Sequence, residues 1–427
     1  MFYVCSTNIE VKIMTFYEKA MQIRTKNKGI LEIVPRVNIH NHDDLSVLYT
    51  PGVAEPCRKI AVNPDASFEL TGRGSTIAVI SDGTRVLGLG DIGAEAAMPV
   101  MEGKALLFKL FGGINAVPLC LNTKDPEEFI RTVKLLEPSF AGINLEDISS
   151  PKCYEIENRL KAEMTIPVFH DDQHGTAIVA LAGVLGACRY TKRTIQEAHI
   201  VVNGAGAAGA SITKLLLLEG ATNITLVDKD GILYENMPGL HAMQKVLSQK
   251  TNPINRHGSL EDALVGADIL IGASAPGIFT PKRIHLMNHH AIVFALANPI
   301  PEITYAEGKK AGATIVGTGR SDAPNQINNL MAFPGIFRGA LAVRATQINE
   351  EMKLAAAHAI ASLISDNTLR SDYIIPDSFD LRVAPAVAAA VAQKAIETNV
   401  ARQTKDPHDI YQEAAQEIAN LRQRFIL

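Results

Sequence analysis

Between residues 199 and 228 the chain runs through an apolar stretch, 199–203, then Gly204-Ala205-Gly206-Ala207-Ala208-Gly209, a leucine-rich stretch over 210–219, and a second apolar stretch, 223–227, that ends on Asp228. Few folds accommodate that order. The first glycine permits a tight turn out of a strand, the second lets backbone approach a pyrophosphate, and the third lets the next helix pack on the strand. The helix N-terminus then offers unsatisfied N–H groups to phosphate. An acid ending the second strand, here Asp228, accepts ribose hydroxyls. A carboxylate there repels a 2′-phosphate and favours NAD over NADP, while Lys229 next to it is a cation that a phosphate can use. The same glycine spacing at Gly88, Gly90 and Gly93 lacks the matching acid, and the helix after it meets Pro99. It is read as a loop. Gly103-Lys104 is followed by Ala105 rather than Ser or Thr, which excludes a P-loop.

Strand-like and helix-like segments alternate on both sides of this motif. Strands are expected at 76–81, 116–121, 141–145, 166–169, 199–203, 223–227, 267–273, 291–295 and 313–316, with helices at 95–111, 125–136, 176–189 and 210–219 between some of them. Such alternation predicts parallel sheets and an α/β fold. The expected organisation is an N-terminal parallel-sheet α/β domain, 1–172, followed by a Rossmann-type NAD(P)-binding domain with a helical, alanine-rich C-terminal extension, 173–427. Residues 1–13 lack helical periodicity and read as an extension or an upstream start.

Charge and hydropathy narrow the function classes. Lys plus Arg is 41 and Asp plus Glu is 45, so no basic footprint for nucleic acid exists. The longest nearly apolar stretch, 177–188, is too short to span a bilayer. Glu10 and Lys12 interrupt what a secretory signal would keep apolar. Five cysteines at 5, 57, 120, 153 and 188 contain no C-x-x-C pair, which argues for reduced thiols and a cytoplasmic protein.

Glu146-Asp147 follows one expected strand and Asp171-Asp172 another. Strand C-termini of a parallel sheet gather at one edge, where ligands bind. Four carboxylates there repel one another unless a cation neutralises them, and oxygen donors suit Mg²⁺ or Mn²⁺. The alternative is a set of helix caps, with Asp172 capping the helix expected to begin near Gly175. His170 and His174 flank the acids and read as outer or surface residues rather than ligands.

Several long motifs, in order, resemble the malic enzymes, and in particular their shorter bacterial type. They are Leu48-Tyr49-Thr50-Pro51-Gly52-Val53-Ala54, then SDGTRVLGLGDIG, Pro99-Val100-Met101-Glu102-Gly103-Lys104, NLED, FHDDQHGTA, GAGAAG, ANP and NNLMAFPG. The resemblance covers about residues 17–364. It implies oxidative decarboxylation of malate to pyruvate and CO₂ with NAD, or with NADP in its place, and Mg²⁺ or Mn²⁺. It assigns Tyr49 as general acid and Lys104 as general base, with Lys104 also touching substrate. It assigns Glu146, Asp147 and Asp172 as metal ligands and Asp171 as a supporting carboxylate. Arg85 falls where an arginine contacts the substrate carboxylate, although its spacing to Lys104 differs by one residue. Asn298 and one of Asn328 or Asn329 match substrate-binding asparagines. Gly204, Ala205, Gly206, Ala207, Ala208 and Gly209, with Asp228 and Asn298, match cofactor contacts.

The chemistry suits these residue types. Hydride leaves C2 of malate as its hydroxyl proton departs, so a base near neutrality is needed, and burial can tune a lysine down to that range. Loss of CO₂ leaves an enolate to be protonated at C3, a task for a tyrosine. Oxaloacetate decarboxylation and conversion of malate to lactate would use the same residues. No membrane or nucleic-acid partner is expected. A homodimer is, because the alanine-rich segments 384–395 and 410–421 have faces to bury.

Overall fold

The computed structural model describes residues 15–86 and 88–425; the expected extension at 1–13 lies outside them. Two sheets form. The first has the order β2-β1-β3-β4, from β1 (Thr76–Ser81), β2 (Asn115–Cys120), β3 (Gly142–Leu145) and β4 (Val168–His170), all parallel. The second has the order β10-β9-β8-β5-β6-β7. Its strands are β5 (His199–Asn203), β6 (Asn223–Asp228), β7 (Gly231–Ile232), β8 (Ile269–Gly272), β9 (Ile292–Ala295) and β10 (Ile315–Thr318). All pair in parallel except β7, a two-residue strand that folds back on β6. Strand order reverses around β5, which lies between β6 and β8. A crevice therefore opens beyond its C-terminal end, the place where open α/β sheets bind ligands.

The strands are short runs rich in Val and Ile, buried on both faces as parallel strands between helices must be; every residue of β5, β8, β9 and β10 is buried. The largest departure from expectation is at the second acid pair. The helix Asp171–Thr191 starts directly after β4 with no intervening loop. Asp172 therefore does not cap a later helix: it lies inside the first turn, and the N-cap residue is His170, whose side chain makes no capping bond. Acids in a first turn interact favourably with the helix dipole. Beyond them the helix is small-residue-rich and buried nearly all round, so it shows little of the one-sided apolar stripe that sequence reading relies on.

That helix lies at the centre of one large apolar core, which includes Ile77 and Val79 of β1, Phe108 of the helix Ala94–Gly112, and Ile200 and Val202 of β5. Phe108 stacks 4.6 Å from Phe333 and 5.4 Å from Phe337, and Phe337 lies 5.9 Å from Phe169. The helices Val383–Glu397 and Pro407–Phe425 bury their apolar faces inside this chain, against the helices Phe333–Ala342, Glu350–Ser362 and one another. Those faces are thus not left over for a partner. Exposed apolar surface is instead gathered on the N-terminal arm, where the helices Phe16–Asn27, His42–Leu48 and Ala54–Val62 bury no residue. Among the described residues no helix is long and apolar enough to cross a membrane.

Phe337 is fully buried and touches both Phe108 and Phe169. Phe337→Ala should therefore cost about 3–5 kcal/mol of unfolding free energy, measured as a lower urea midpoint with an unchanged slope.

Candidate active site

Lys104 projects from the helix Ala94–Gly112 and is only 8% exposed. Its Nζ lies 2.6 Å from Asp171 Oδ2, 3.0 Å from Glu146 Oε1 and 4.3 Å above the Phe333 ring. The partners come from strand ends. Glu146 and Asp147 follow β3 and Asp171 follows β4, so neighbouring parallel strands deliver them to one edge. Asn144 donates from Nδ2 to Glu146 Oε2 at 2.9 Å. Asn329 donates from Nδ2 to Asp171 Oδ2. The Asp147 N–H donates to Asp172 Oδ2 at 2.9 Å, and the Arg85 N–H to the Asp147 carbonyl at 3.0 Å.

A lysine expected to be tuned down is instead held up. Burial alone would lower the Lys104 amine, but Asp171 and Glu146 outweigh burial and keep it above the ordinary lysine range. Burial pushes the Glu146 carboxyl well above its usual range; Lys104 opposes this, and Asp172, Asp171 and Asp147 add to it. Four carboxylates against one ammonium leave an excess of negative charge in a mostly buried place. Two acceptors there, Asn144 Oδ1 and Asp171 Oδ1, are buried without a partner. Excess negative charge, unmatched oxygens and an all-oxygen donor set fit a hard divalent cation. Among the described residues, however, no three His, Cys, Asp or Glu side chains stand together in a form that could hold a metal ion. Glu146 and Asp171 are turned to Lys104, and Asp172 to a backbone N–H.

The remaining site residues divide. Asn329 joins the cluster, whereas Asn328 caps a short helical turn by accepting from the Leu330 N–H at 2.9 Å. Asn298 is exposed, in a loop that crowds Gly88 and Gly319. Arg85 is exposed at the mouth of the nucleotide crevice. Tyr49 is 67% exposed on the N-terminal arm, and no side-chain hydrogen bond ties it to the cluster among the described residues. His170 and His174 are buried, not on the surface.

The glycine loop has the geometry its sequence predicts. Gly204 has φ 108°, and a Cβ there would lie 2.4 Å from the Ala273 carbonyl oxygen. A Cβ on Gly209 would fall 1.7 Å from the Gly204 carbonyl oxygen, whereas one on Gly206 would meet nothing within 4 Å. Gly206 thus leaves space facing the crevice where a ligand's phosphates would approach. The helix begins at Ala207, three residues earlier than expected, with no side chain capping its N-terminus. A cavity of about 770 Å³ runs from Arg85 past Gly204 and Gly206 to Asp228 and Gly258. Asp228 is fixed by the Lys229 N–H on one oxygen and by Gln244 Nε2 on the other, both at 2.9 Å. Glu302, fully buried, accepts from the N–H groups of Ser274 and Ala297 and so ties together the loops after β8 and β9.

Sequence reasoning missed Asn144, Phe333, Gln244 and Glu302. Asn144 carried a readable signal, a polar residue inside an apolar strand, and Glu302 lies three residues beyond the ANP motif. The other two gave none, because their partners are far away in the chain.

A crevice at the switch point of a mostly parallel sheet, lined by a glycine loop and opening onto Arg85 beside the strand-end acids, is the architecture of a dinucleotide-dependent oxidoreductase. The profile of the malic enzyme N-terminal domain matches residues 28–161, and that of the malic enzyme NAD binding domain matches 173–396. The bifunctional malic/malolactic enzyme of Bacillus subtilis is 52% identical over 93% of this chain and 97% of its own. The NAD-dependent malic enzyme of Geobacillus stearothermophilus is 52% identical over 89% of this chain and 79% of its own. The crystal structure of the Pyrococcus horikoshii malic enzyme superposes with a TM-score of 0.92 at 45% identity, covering 96% of this chain and 98% of that one. The chain belongs to the malic enzyme family.

Gly209→Ala should weaken NADH binding by at least about tenfold, equivalent to ~1.4 kcal/mol, in a fluorescence titration, with the far-UV spectrum unchanged.

Proposed function

We propose that this protein oxidatively decarboxylates (S)-malate to pyruvate and CO₂, reducing NAD⁺ in preference to NADP⁺, with a divalent cation, Mg²⁺ or Mn²⁺. The observation that carries this reading is the buried Lys104 amine between Asp171 and Glu146, at the edge of a sheet whose strand ends supply four acids. Glu146, Asp147 and Asp172 are the residues to hold the cation, with side-chain rotations from the positions described, and Asp171 supports Lys104. When bound, the cation would supply Lewis acidity toward the substrate oxygens and the nicotinamide would supply the hydride acceptor.

The chain's own residues do the rest. Lys104 Nζ takes the C2 hydroxyl proton, and Asp171 at 2.6 Å is within reach to take the proton the amine must first give up. The C3–C4 bond then breaks, CO₂ departs, and the electron pair stays on C3 as an enolate. Tyr49 delivers a proton to C3. Arg85, Asn298 and Asn329 hold the dianion through charge-assisted hydrogen bonds. The malolactic name of the Bacillus subtilis relative favours a second reading, in which pyruvate is reduced to lactate on the same site before release.

We take residues 1–172 and 173–427 as the two domains, and a cytoplasmic homodimer as the working form. Cys57, Cys120, Cys153 and Cys188 are free thiols, which suits a reducing compartment. The arm supports the dimer: Phe16 at 88%, Tyr17 at 82% and Ile33 at 98% exposure need cover, and the exposed Tyr49 lies on this arm. A second copy that covers the arm would receive Tyr49 into its own cluster.

Malate with Mn²⁺ and either cofactor, followed by absorbance of the reduced form, tests the activity. Turnover with NAD⁺ is expected to exceed that with NADP⁺. Lys104→Ala should lower malate oxidation by at least about a hundredfold while pyruvate enolisation, served by Tyr49, continues. Loss of both to one extent contradicts the division of roles. For the dimer, Tyr49→Phe and Lys104→Ala variants, each inactive alone, should regain activity on mixing. Failure to complement, with a monomer mass by light scattering, contradicts it.

A further inference from the structure

The first turn of the helix Asp171–Thr191 is held by a buried chain of charged groups that no step above uses. Glu157, on the helix Lys152–Glu163, is 3% exposed. It accepts from the His170 N–H at 3.3 Å, from Gln173 Nε2 at 3.2 Å, and from His174 Nε2 at 2.8 and 2.9 Å on its two oxygens. Lys353, on the helix Glu350–Ser362, is 1% exposed. Its Nζ donates to His174 Nδ1 at 3.1 Å and to Glu350 Oε1 at 3.0 Å. The same Glu350 oxygen takes Lys214 at 2.8 Å, and Lys214 belongs to the helix Ala207–Leu218 that follows the glycine loop. Lys161 pairs with Glu157 from its own helix.

The pattern of donors fixes the histidine. With Lys353 donating to Nδ1, the ring proton is on Nε2 and points at Glu157. His174 is thereby clamped from both sides, and Gln173 and the His170 N–H are tied to the same carboxylate. Asp171 and Asp172 lie between those tied positions. Their backbone is therefore held through the residues on either side of it. A charged residue as deeply buried as Lys353 is expensive to keep, and apolar packing could fill its place. The arrangement gives the acids a rigid mount, as partners behind a ligand commonly do.

We propose that Lys353 is a positioning residue: through His174 and Glu157 it sets the orientation of the Asp171–Asp172 turn, and with it the affinity of the acid cluster for a divalent cation and for malate. The proposal rests on the metal and substrate reading given above. Its test uses the full chain and Mn²⁺ alone, titrated by water-proton relaxation, with malate kinetics alongside.

Lys353→Met keeps the length and removes the charge. It should weaken Mn²⁺ binding by about tenfold or more and raise the malate KM more than it lowers kcat. Lys353→Arg should restore Mn²⁺ affinity to within about threefold of wild type. A purely structural role would lower the thermal midpoint without moving Mn²⁺ affinity in the folded protein. A folded Lys353→Met protein that binds Mn²⁺ and malate within about twofold of wild type overturns the proposal. If Lys353→Met does not fold, Glu157→Gln is measured in its place, with the same weakening expected and unchanged binding again overturning it. Wild-type protein that binds no Mn²⁺ overturns the metal reading itself, an outcome distinct from a wild type that binds while its variants bind equally well.

Discussion

Everything at the acid-lined edge of the first sheet depends on one electrostatic imbalance. Four carboxylates are gathered on two strand ends, three of them buried, with a single ammonium between them. Neighbouring parallel strands make that gathering unavoidable, because their C-terminal ends emerge side by side. The imbalance explains why Lys104 is held charged rather than tuned down, why Glu146 is pushed up, and why unmatched oxygens remain. It also makes a hard cation the natural complement of the cluster. For the base role proposed for Lys104, its contact with Asp171 means that the amine must pass on a proton before it can accept one.

The helix Asp171–Thr191 joins this chemistry to the fold. It leaves the first sheet at His170 and packs in the core shared by both sheets. Its first turn meets Lys104 through Asp171 and the Glu157–Lys353 pair through His174. Through Glu350 and Lys214 that chain reaches the helix of the glycine loop. The acid cluster and the glycine loop are therefore connected by packed helices rather than by flexible linkers, a sound basis for holding groups in register.

The N-terminal arm follows different physics. It is anchored by Arg24 to Glu102 and to the Pro99 carbonyl, and by Arg36 to Ser75, yet buries none of its own helical residues. The C-terminal helices, which sequence periodicity suggested for the same task, spend their apolar faces on their own chain.

Much of the fold was legible because its signals are local. The 199–228 stretch has a strand, three placed glycines, a helix and a terminal acid within thirty residues, and β1 and β5 were read to the residue. Both acid pairs were visible as the residues that end strands, and the ordered motifs gave the family. What tertiary structure alone decided is how those groups face one another. Whether Asn328 or Asn329 reaches Asp171, that Phe333 lies under the Lys104 amine, that Asp172 enters a helix instead of capping one, and that Lys353 is buried behind His174 are all contacts between segments distant in the chain. Residue type and spacing specify short-range backbone preference. The burial and charge environment of a side chain depends on which remote segment packs over it, and so its protonation, its partners and its use are set only when the chain has folded.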